Sequence, residues 1–224
     1  MHKTEHQTEH HKAYQVDIAI IGGGIAGLWL LNLLRDKGYS ACLIESNTLG
    51  CGQTLASQGM IHGGIKYALG GMLTDSSETI AAMPERWQNC LDGNGSIDLR
   101  GVETRSRDYY LFSDARLTSR VTAFFGSKLV KGRVSQVDPA DTPKAFQDPS
   151  FQGLIYKLQD LVLDTPSLVK HLAARFSDCI YTGAYRLIDY QGQITRLELA
   201  SGESITARHY ILAAGSKWRF YPAA

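Results

Sequence analysis

Gly22, Gly24 and Gly27 stand in the spacing G-x-G-x-x-G directly after the apolar run of residues 16–21. In such a turn the first glycine permits a tight reversal, the second lets a pyrophosphate approach the backbone, and the third lets a helix pack closely. Ile25 and Ala26 then open a helix whose free N–H groups and positive dipole end face an anion. Glu45, about twenty residues further on, closes the next apolar segment, where a carboxylate accepts hydrogen bonds from ribose hydroxyls. These residues specify nucleotide binding, and an acid at that position disfavours a ribose carrying a 2′-phosphate, hence NADP. Glu45→Gln is expected to be mild, since an amide still offers one acceptor.

The elements that must hold these residues follow from periodicity. Residues 16–21 read as a buried strand, 28–37 as a helix ended at Gly38, and 41–44 as a second, parallel strand. The stretch 46–71 mixes glycines with Ser, Thr and Gln without a period, and a long irregular stretch inside a domain is more often functional than idle. A helix is expected over 78–91, capped from 75–77 and interrupted at Pro84. A strand is expected over 108–112, then a helix from Asp114 with Leu117, Val121, Phe124 or Phe125, and Leu129 on one face. Residues 138–149 read as a surface connection and 154–158 and 161–163 as short strands. A helix capped by Asp164 or Thr165 then buries Leu168, Leu172 and Phe176. Strands over 180–190, 194–199 and 204–213 are separated by hairpin turns at Gln191-Gly192 and Ser201-Gly202.

Composition excludes several classes. With 23 Lys plus Arg against 22 Asp plus Glu, the formal charge of +1 gives no general attraction to nucleic acid or an anionic membrane. The four cysteines form no C-x-x-C pair or metal spacing, which fits a reducing cytoplasm without a structural metal. Residues 18–34 are apolar but divided by the glycine turn, so no integral membrane segment is expected, and the polar start has no signal-peptide core. His2, His6, His10 and His11 would align imidazoles on a helix, yet a polar terminus without an apolar face reads as a disordered tail.

The run Asp17-Ile-Ala-Ile-Ile-Gly-Gly-Gly-Ile-Ala-Gly-Leu28, followed by Glu45, resembles the opening of FAD-dependent oxidoreductases of the D-amino acid oxidase type. The run from Gln53 through Thr54, Ser57, Gly59 and His62 to Tyr67 is similar to that family's flavin-contacting loop. Its nearest likeness is to glycerol-3-phosphate dehydrogenases and 2-hydroxyglutarate oxidases. Residues 162–168 and the strand and turn through Ala213 and Gly215 are similar to further family segments, the last one packing close to the cofactor. The loop's chemistry agrees, because a flat isoalloxazine with polar edges suits glycines and small hydroxyls.

The resemblance implies an α/β fold, with a Rossmann-like FAD-binding domain of the glutathione reductase type and an inserted, incomplete α+β substrate domain. The expected organisation is a disordered tail at 1–14, a discontinuous FAD domain at 15–80 and 160–218, and a partial substrate domain at 81–159. The cofactor is FAD, contacted by Gly22, Gly24, Ile25, Ala26, Gly27, Glu45, Thr54, Ser57, Gly59, Ala213 and Gly215. His62 is the catalytic candidate, as a base, a substrate-orienting group or a flavin anchor. The implied reaction is hydride transfer from a small amine or a 2-hydroxy or polyol substrate to FAD, with oxygen and quinone both open as electron acceptor. The chain is expected to be an N-terminal portion of the family's length, marginally stable alone. A non-catalytic flavin-binding module and an NAD-dependent Rossmann dehydrogenase are the alternative readings.

Overall fold

The computed structural model describes residues 12–64, 79–107, 109–113 and 134–215. The histidines of the N-terminal tail, the expected caps at 75–77, the helix expected from Asp114 and the last nine residues lie outside them. The chain divides into two compact units, Met1–Ser57 with Val169–Ala224, and Gln58–Leu168.

The first unit is built on a six-stranded sheet. Strands β1 (Ala13–Ile21), β2 (Ala41–Glu45), β9 (Ile180–Thr182) and β12 (Ser204–Leu212) run parallel in the order β12-β1-β2-β9. Strands β10 (Tyr185–Tyr190) and β11 (Gln193–Leu199) extend the sheet antiparallel beyond β12. Residues 18–21 and 41–45 are buried without alternation, as parallel strands covered on both faces must be. On one face Ala19, Ile21, Cys42 and Ile44 pack with Leu197 and Ile205. Helix α1 (Ile25–Asp36) buries Leu28 and Leu31 completely, each worth about 1.5–3 kcal/mol of burial.

Helix α1 begins three residues before its leucine pattern does, because Ile25, Ala26 and Gly27 are helical without adding to an apolar stripe. The segment read as one strand over 180–190 is two. It breaks at Gly183, whose φ of +122° is left-handed and whose N–H donates to the Glu45 carbonyl at 2.9 Å. Its halves then pair at opposite edges of the sheet, β9 with β2 and β10 with β11. The Gln191-Gly192 hairpin has positive φ at both residues, as a type I′ turn requires.

A buried polar clasp fixes α1 to helix α4 (Thr165–Ala174), named here after α2 (Gln53–Ala56) and α3 (Met83–Leu91). Asn32, fully buried, donates from Nδ2 to the carbonyls of Leu28 and Leu172, both at 2.9 Å. Its Oδ1 accepts from Arg175, which also pairs with Asp36. Phe176 lies beyond the end of α4 rather than on its buried stripe, with the guanidinium groups of Arg35 and Arg175 5.6 and 5.2 Å from its ring.

Among the described residues the second unit holds two three-stranded sheets. One has the order β3-β8-β4, from Met60–Ile61, Leu161–Leu163 and Thr104–Ser106. The other has the order β5-β7-β6, from Tyr109–Phe112, Ile155–Leu158 and Val134–Gln136. The neighbouring strands β7 and β8 thus enter different sheets. The helical segment expected over 78–91 is interrupted beside Pro84: residues 79–81 are helical, Ala82 is a turn, and α3 starts anew at Met83 with Pro84 in its first turn, where the missing N–H costs nothing. Short 3₁₀ turns at Pro139–Asp141 and Lys144–Phe146 make the expected surface connection. Asp164 caps α4, its Oδ1 accepting from the Ser167 N–H at 2.8 Å, and pairs with Arg105.

Candidate functional site

The glycine turn between β1 and α1 is fixed by contacts that admit no side chain at Gly22 or Gly27. Gly22 has φ +121°, and a Cβ there would lie 2.5 Å from the Ala213 carbonyl oxygen. A Cβ on Gly27 would lie 1.9 Å from the Gly22 oxygen. Gly24 differs: a Cβ there meets the Thr54 hydroxyl at 3.3 Å and, among the described residues, no other atom within 4 Å. The turn therefore has an open place over its second glycine, where an incoming group can reach the backbone.

The start of α1 is suited to an anion. Gly24 is its N-cap and offers no side-chain bond, the first turn holds no acidic residue, and Ala26 is exposed. The Ile25 N–H donates to Thr54 Oγ1 at 2.9 Å, which brings the short helix α2 against the turn. The Thr54 hydroxyl accepts that bond and retains a proton to donate.

Glu45, 9% exposed, ends β2 beneath the turn. Its Oε2 accepts from the Gly23 N–H at 2.7 Å and its Oε1 from the Asn47 N–H at 2.9 Å and the Ser46 hydroxyl at 3.2 Å. Two carboxylate oxygens offer about four acceptor positions, so capacity remains for a further donor. Beside this strand end a concavity of about 540 Å³ is lined by Ser46, Asn47, Thr48, Cys51, Thr182 and Gly183. The sequence reading missed this wall; Gly183, inside an otherwise continuous strand pattern, was its signal.

Ala213 completes the turn from the other side, its N–H donating to the Ile21 carbonyl at 2.7 Å. Gly215 has φ +59°, and a Cβ there would meet no atom of the described residues within 4 Å. Ser57, exposed, donates from its hydroxyl to the Thr54 carbonyl at 2.9 Å. The structure thus brings Gly22, Gly24, Ile25, Gly27, Glu45, Thr54 and Ala213 together in the first unit.

Gly59 and His62 belong to the second unit. Gly59 has φ +67°, a Cβ there would lie 2.2 Å from the Leu163 oxygen, and its own carbonyl accepts from the Leu163 N–H. Half-buried His62 follows β3, and the next residue, Gly63, donates its N–H to Asp160 Oδ1 at 2.9 Å. Sequence reasoning did not single out Asp160. Among the described residues no group of His, Cys, Asp and Glu side chains is placed to hold a metal, and no helix is long and apolar enough to cross a membrane.

A parallel sheet that opens on a glycine turn, presents a helix start whose N-cap is a glycine and carries an acid at the end of its second strand defines a dinucleotide-binding protein with a mixed α/β sheet. The chain belongs to the FAD dependent oxidoreductase (DAO) family, whose sequence model matches residues 17–221. It is 44% identical over 205 residues to the probable FAD-dependent oxidoreductase PA4991 of Pseudomonas aeruginosa, covering 92% of this chain and 52% of that protein. The crystal structure of PA4991 superposes with a TM-score of 0.73 at 36% identity, over 93% of this chain and 50% of that one. Glycine oxidase from Geobacillus kaustophilus shares the fold, with a TM-score of 0.63 at 17% identity over 91% of this chain and 56% of that one. A shorter match, 37% identical over 51 residues, links 23% of the chain to 10% of the aerobic glycerol-3-phosphate dehydrogenase of Escherichia coli. The chain spans about half the length of PA4991. Members of this family are oxidoreductases that use FAD, which decides for a flavin over NAD.

Proposed function

We propose that this chain supplies the nucleotide-binding part of an oxidoreductase in which FAD receives a hydride from a small amine or a 2-hydroxy or polyol substrate. The observation that carries this reading is the open place over Gly24, the N-cap glycine that brings no side chain to the helix start, a cradle that a Cβ would fill. Gly22, Gly24 and Gly27 bring backbone to the diphosphate, the Ala26 N–H and the Thr54 hydroxyl donate to it, and the α1 dipole favours its charge. Glu45 takes ribose hydroxyls with its remaining acceptor capacity, and the concavity from Ser46 to Cys51 and Thr182-Gly183 receives the adenine. Ala213 and Gly215 line the cofactor where β12 ends.

FAD, when bound, supplies the two-electron acceptor that no amino-acid side chain provides. The protein's part is to hold the donor carbon in line and exclude water. Ser57, Gly59 and His62 are assigned to the isoalloxazine end, with His62 as base or as substrate-orienting group. The family likeness of residues 53–67 supports this assignment. The electron acceptor of the second half-reaction, oxygen or quinone, follows from which of them reoxidises the reduced flavin.

The test is reconstitution of the purified chain with FAD. Gly24→Val is expected to keep the fold and lose flavin, because within the described residues its Cβ presses only on the Thr54 hydroxyl, a side chain that can yield, while it occupies the diphosphate's place. A Gly24→Val protein that retains the wild-type flavin content places the diphosphate elsewhere.

A further inference from the structure

Two of the four cysteines meet across the parallel sheet of the first unit, and neither is in a disulfide. Strands β2 and β9 pair Leu43 with Ile180, Ile44 with Tyr181 and Glu45 with Thr182. One residue back along both stand Cys42 and Cys179, the second closing the 3₁₀ turn Ser177–Cys179 that packs on β2. Alternation puts Cys42 on the face of Ile44 and Cys179 on that of Tyr181, and all four side chains belong to one cluster. Cys179 contributes to the raised pKa of Cys42, and both thiols to that of Tyr181, so the three groups are within electrostatic reach of one another.

The spacing suits a bond between the two sulfurs. Neighbouring strands lie about 4.8 Å apart, inside the Cα separation of about 4.4–6.8 Å that a disulfide spans. Their exposure differs in a useful way. Cys42 is 3% exposed, whereas Cys179 is half-buried, so a dissolved oxidant reaches Cys179 first. Of the other two cysteines, Cys51 is exposed on the wall of the concavity beside Glu45 and Cys90 is buried in the second unit.

We propose that Cys179 and Cys42 form a redox-active pair, in which a hydroperoxide oxidises Cys179 and Cys42 resolves the product as a disulfide between β2 and β9. The Cys179 sulfur attacks one peroxide oxygen: an S–O bond forms, the O–O bond breaks, and the departing oxygen takes the thiol proton and leaves as water or an alcohol. The Cys42 sulfur then attacks this sulfenic sulfur. An S–S bond forms, the S–O bond breaks, and the hydroxyl leaves as water with the proton of Cys42. Two electrons pass from the sulfurs to the peroxide, so the oxidant is consumed one for one with the bridge. Burial keeps both thiols protonated at neutral pH, with Arg35 opposing and Asp178 adding to the effect at Cys179, so the pair answers sustained rather than brief exposure. What the buried partner adds is protection. A sulfenic acid left alone proceeds to sulfinic acid, whereas a disulfide is reopened by a reductant that reaches the Cys179 sulfur.

The experiment exposes the full chain, reduced and then freed of reductant, to hydrogen peroxide under native conditions, with circular dichroism showing that it stays folded. The protein is blocked with iodoacetamide in denaturant and cut with trypsin and a Glu-specific protease, which separates Cys42 from Cys51 at Glu45. Mass spectrometry is expected to find the Cys42 peptide joined to the Cys179 peptide, and dithiothreitol to part them. Cys42→Ser is expected to abolish the bridge and leave Cys179 as a sulfenic acid trapped by dimedone, then as a sulfinic acid that dithiothreitol does not recover. Should Cys42→Ser fail to fold, Cys179→Ser, at the half-buried position, is read instead, with Cys42 expected to stay reduced at the peroxide dose that bridges the wild type. The proposal is overturned if the folded wild type oxidises Cys51 but forms no Cys42–Cys179 bridge, or if either thiol bridges to Cys51 or Cys90 instead. It is equally overturned if the bridge appears only once the chain has unfolded, or if Cys42 is oxidised as fast in Cys179→Ser as in the wild type.

Discussion

The Glu45 carboxylate accepts the Gly23 backbone N–H at 2.7 Å, tying the end of β2 to the middle of the glycine turn. Its other oxygen holds the Asn47 N–H, so the side chain is a strut between two backbone segments as well as an acceptor. This changes what Glu45→Gln should do. An amide has one oxygen, and its NH₂ would confront whichever backbone N–H the oxygen does not serve. We expect that variant to lose about 1–3 kcal/mol of stability as the apoprotein, the cost of a buried donor left unpaired. Urea unfolding of flavin-free protein measures it. Loss of flavin affinity without any change in apoprotein stability would show that Glu45 acts on the ribose alone.

The glycines of the turn should separate by experiment although the sequence writes them alike. Gly27→Ala places a Cβ against the Gly22 oxygen, backbone against backbone with no flexible side chain to yield. Overpacking of this kind costs about 1–3 kcal/mol. Gly24→Ala meets only the Thr54 hydroxyl and should unfold at nearly the wild-type denaturant midpoint, with weaker flavin binding. Equal midpoints for the two variants would contradict the geometry.

Asn32 offers a test far from the cofactor. Asn32→Leu keeps the branched shape, at a larger volume, but strips the Leu172 carbonyl and the Arg175 guanidinium of their shared partner. We expect about 1–3 kcal/mol of destabilisation. Because α1 carries the start of the diphosphate site, a looser α1–α4 clasp should also raise the flavin dissociation constant. A titration performed well below the unfolding transition distinguishes that effect from simple loss of folded protein.

The first strand, the glycine turn, α1 and the second strand were legible because three signals agree there: apolar runs of the right length, glycines at fixed offsets and an acid at the strand end. The break at Gly183 was not legible in the same way. Residues on either side both suit strands, and what separates them is tertiary, the Glu45 carbonyl capturing the Gly183 N–H and sending β10 to the far edge of the sheet. Likewise β7 and β8 read as neighbours, since no local feature of Gln159-Asp160 announces that the chain changes sheets. Phe176 fits the helical spacing of Leu168 and Leu172, yet the helix stops short of it and two arginines take its ring. Asp160 lacked any signal, because an aspartate between two strands is ordinarily a solvated turn residue.

The thiols give a prediction with a definite sign in pH. Cys42 is buried in β2, and burial, with a smaller contribution from Cys179, pushes its pKa up to about 12 from an ordinary value near 9.0. Cys179 is raised in the same direction, chiefly by burial. A thiol whose pKa is raised by folding holds its proton in the native state while the unfolded chain releases it, so unfolding is favoured as pH climbs from about 9.0 toward 12. The stability Cys42 contributes is therefore complete below pH 9.0 and fades above it. Reactivity follows the same order. The thiolate is the nucleophile, so iodoacetamide near pH 8 should label exposed Cys51 first and leave Cys42 untouched until the sheet opens. Peptide mass mapping after timed alkylation reads this directly, and FAD should slow the labelling of Cys51, which lines the concavity assigned to the adenine. Rapid labelling of Cys42 in folded protein would mean that β2 is not held between its neighbours. Labelling of Cys51 that ignores saturating FAD would move the adenine away from Asn47 and Thr182.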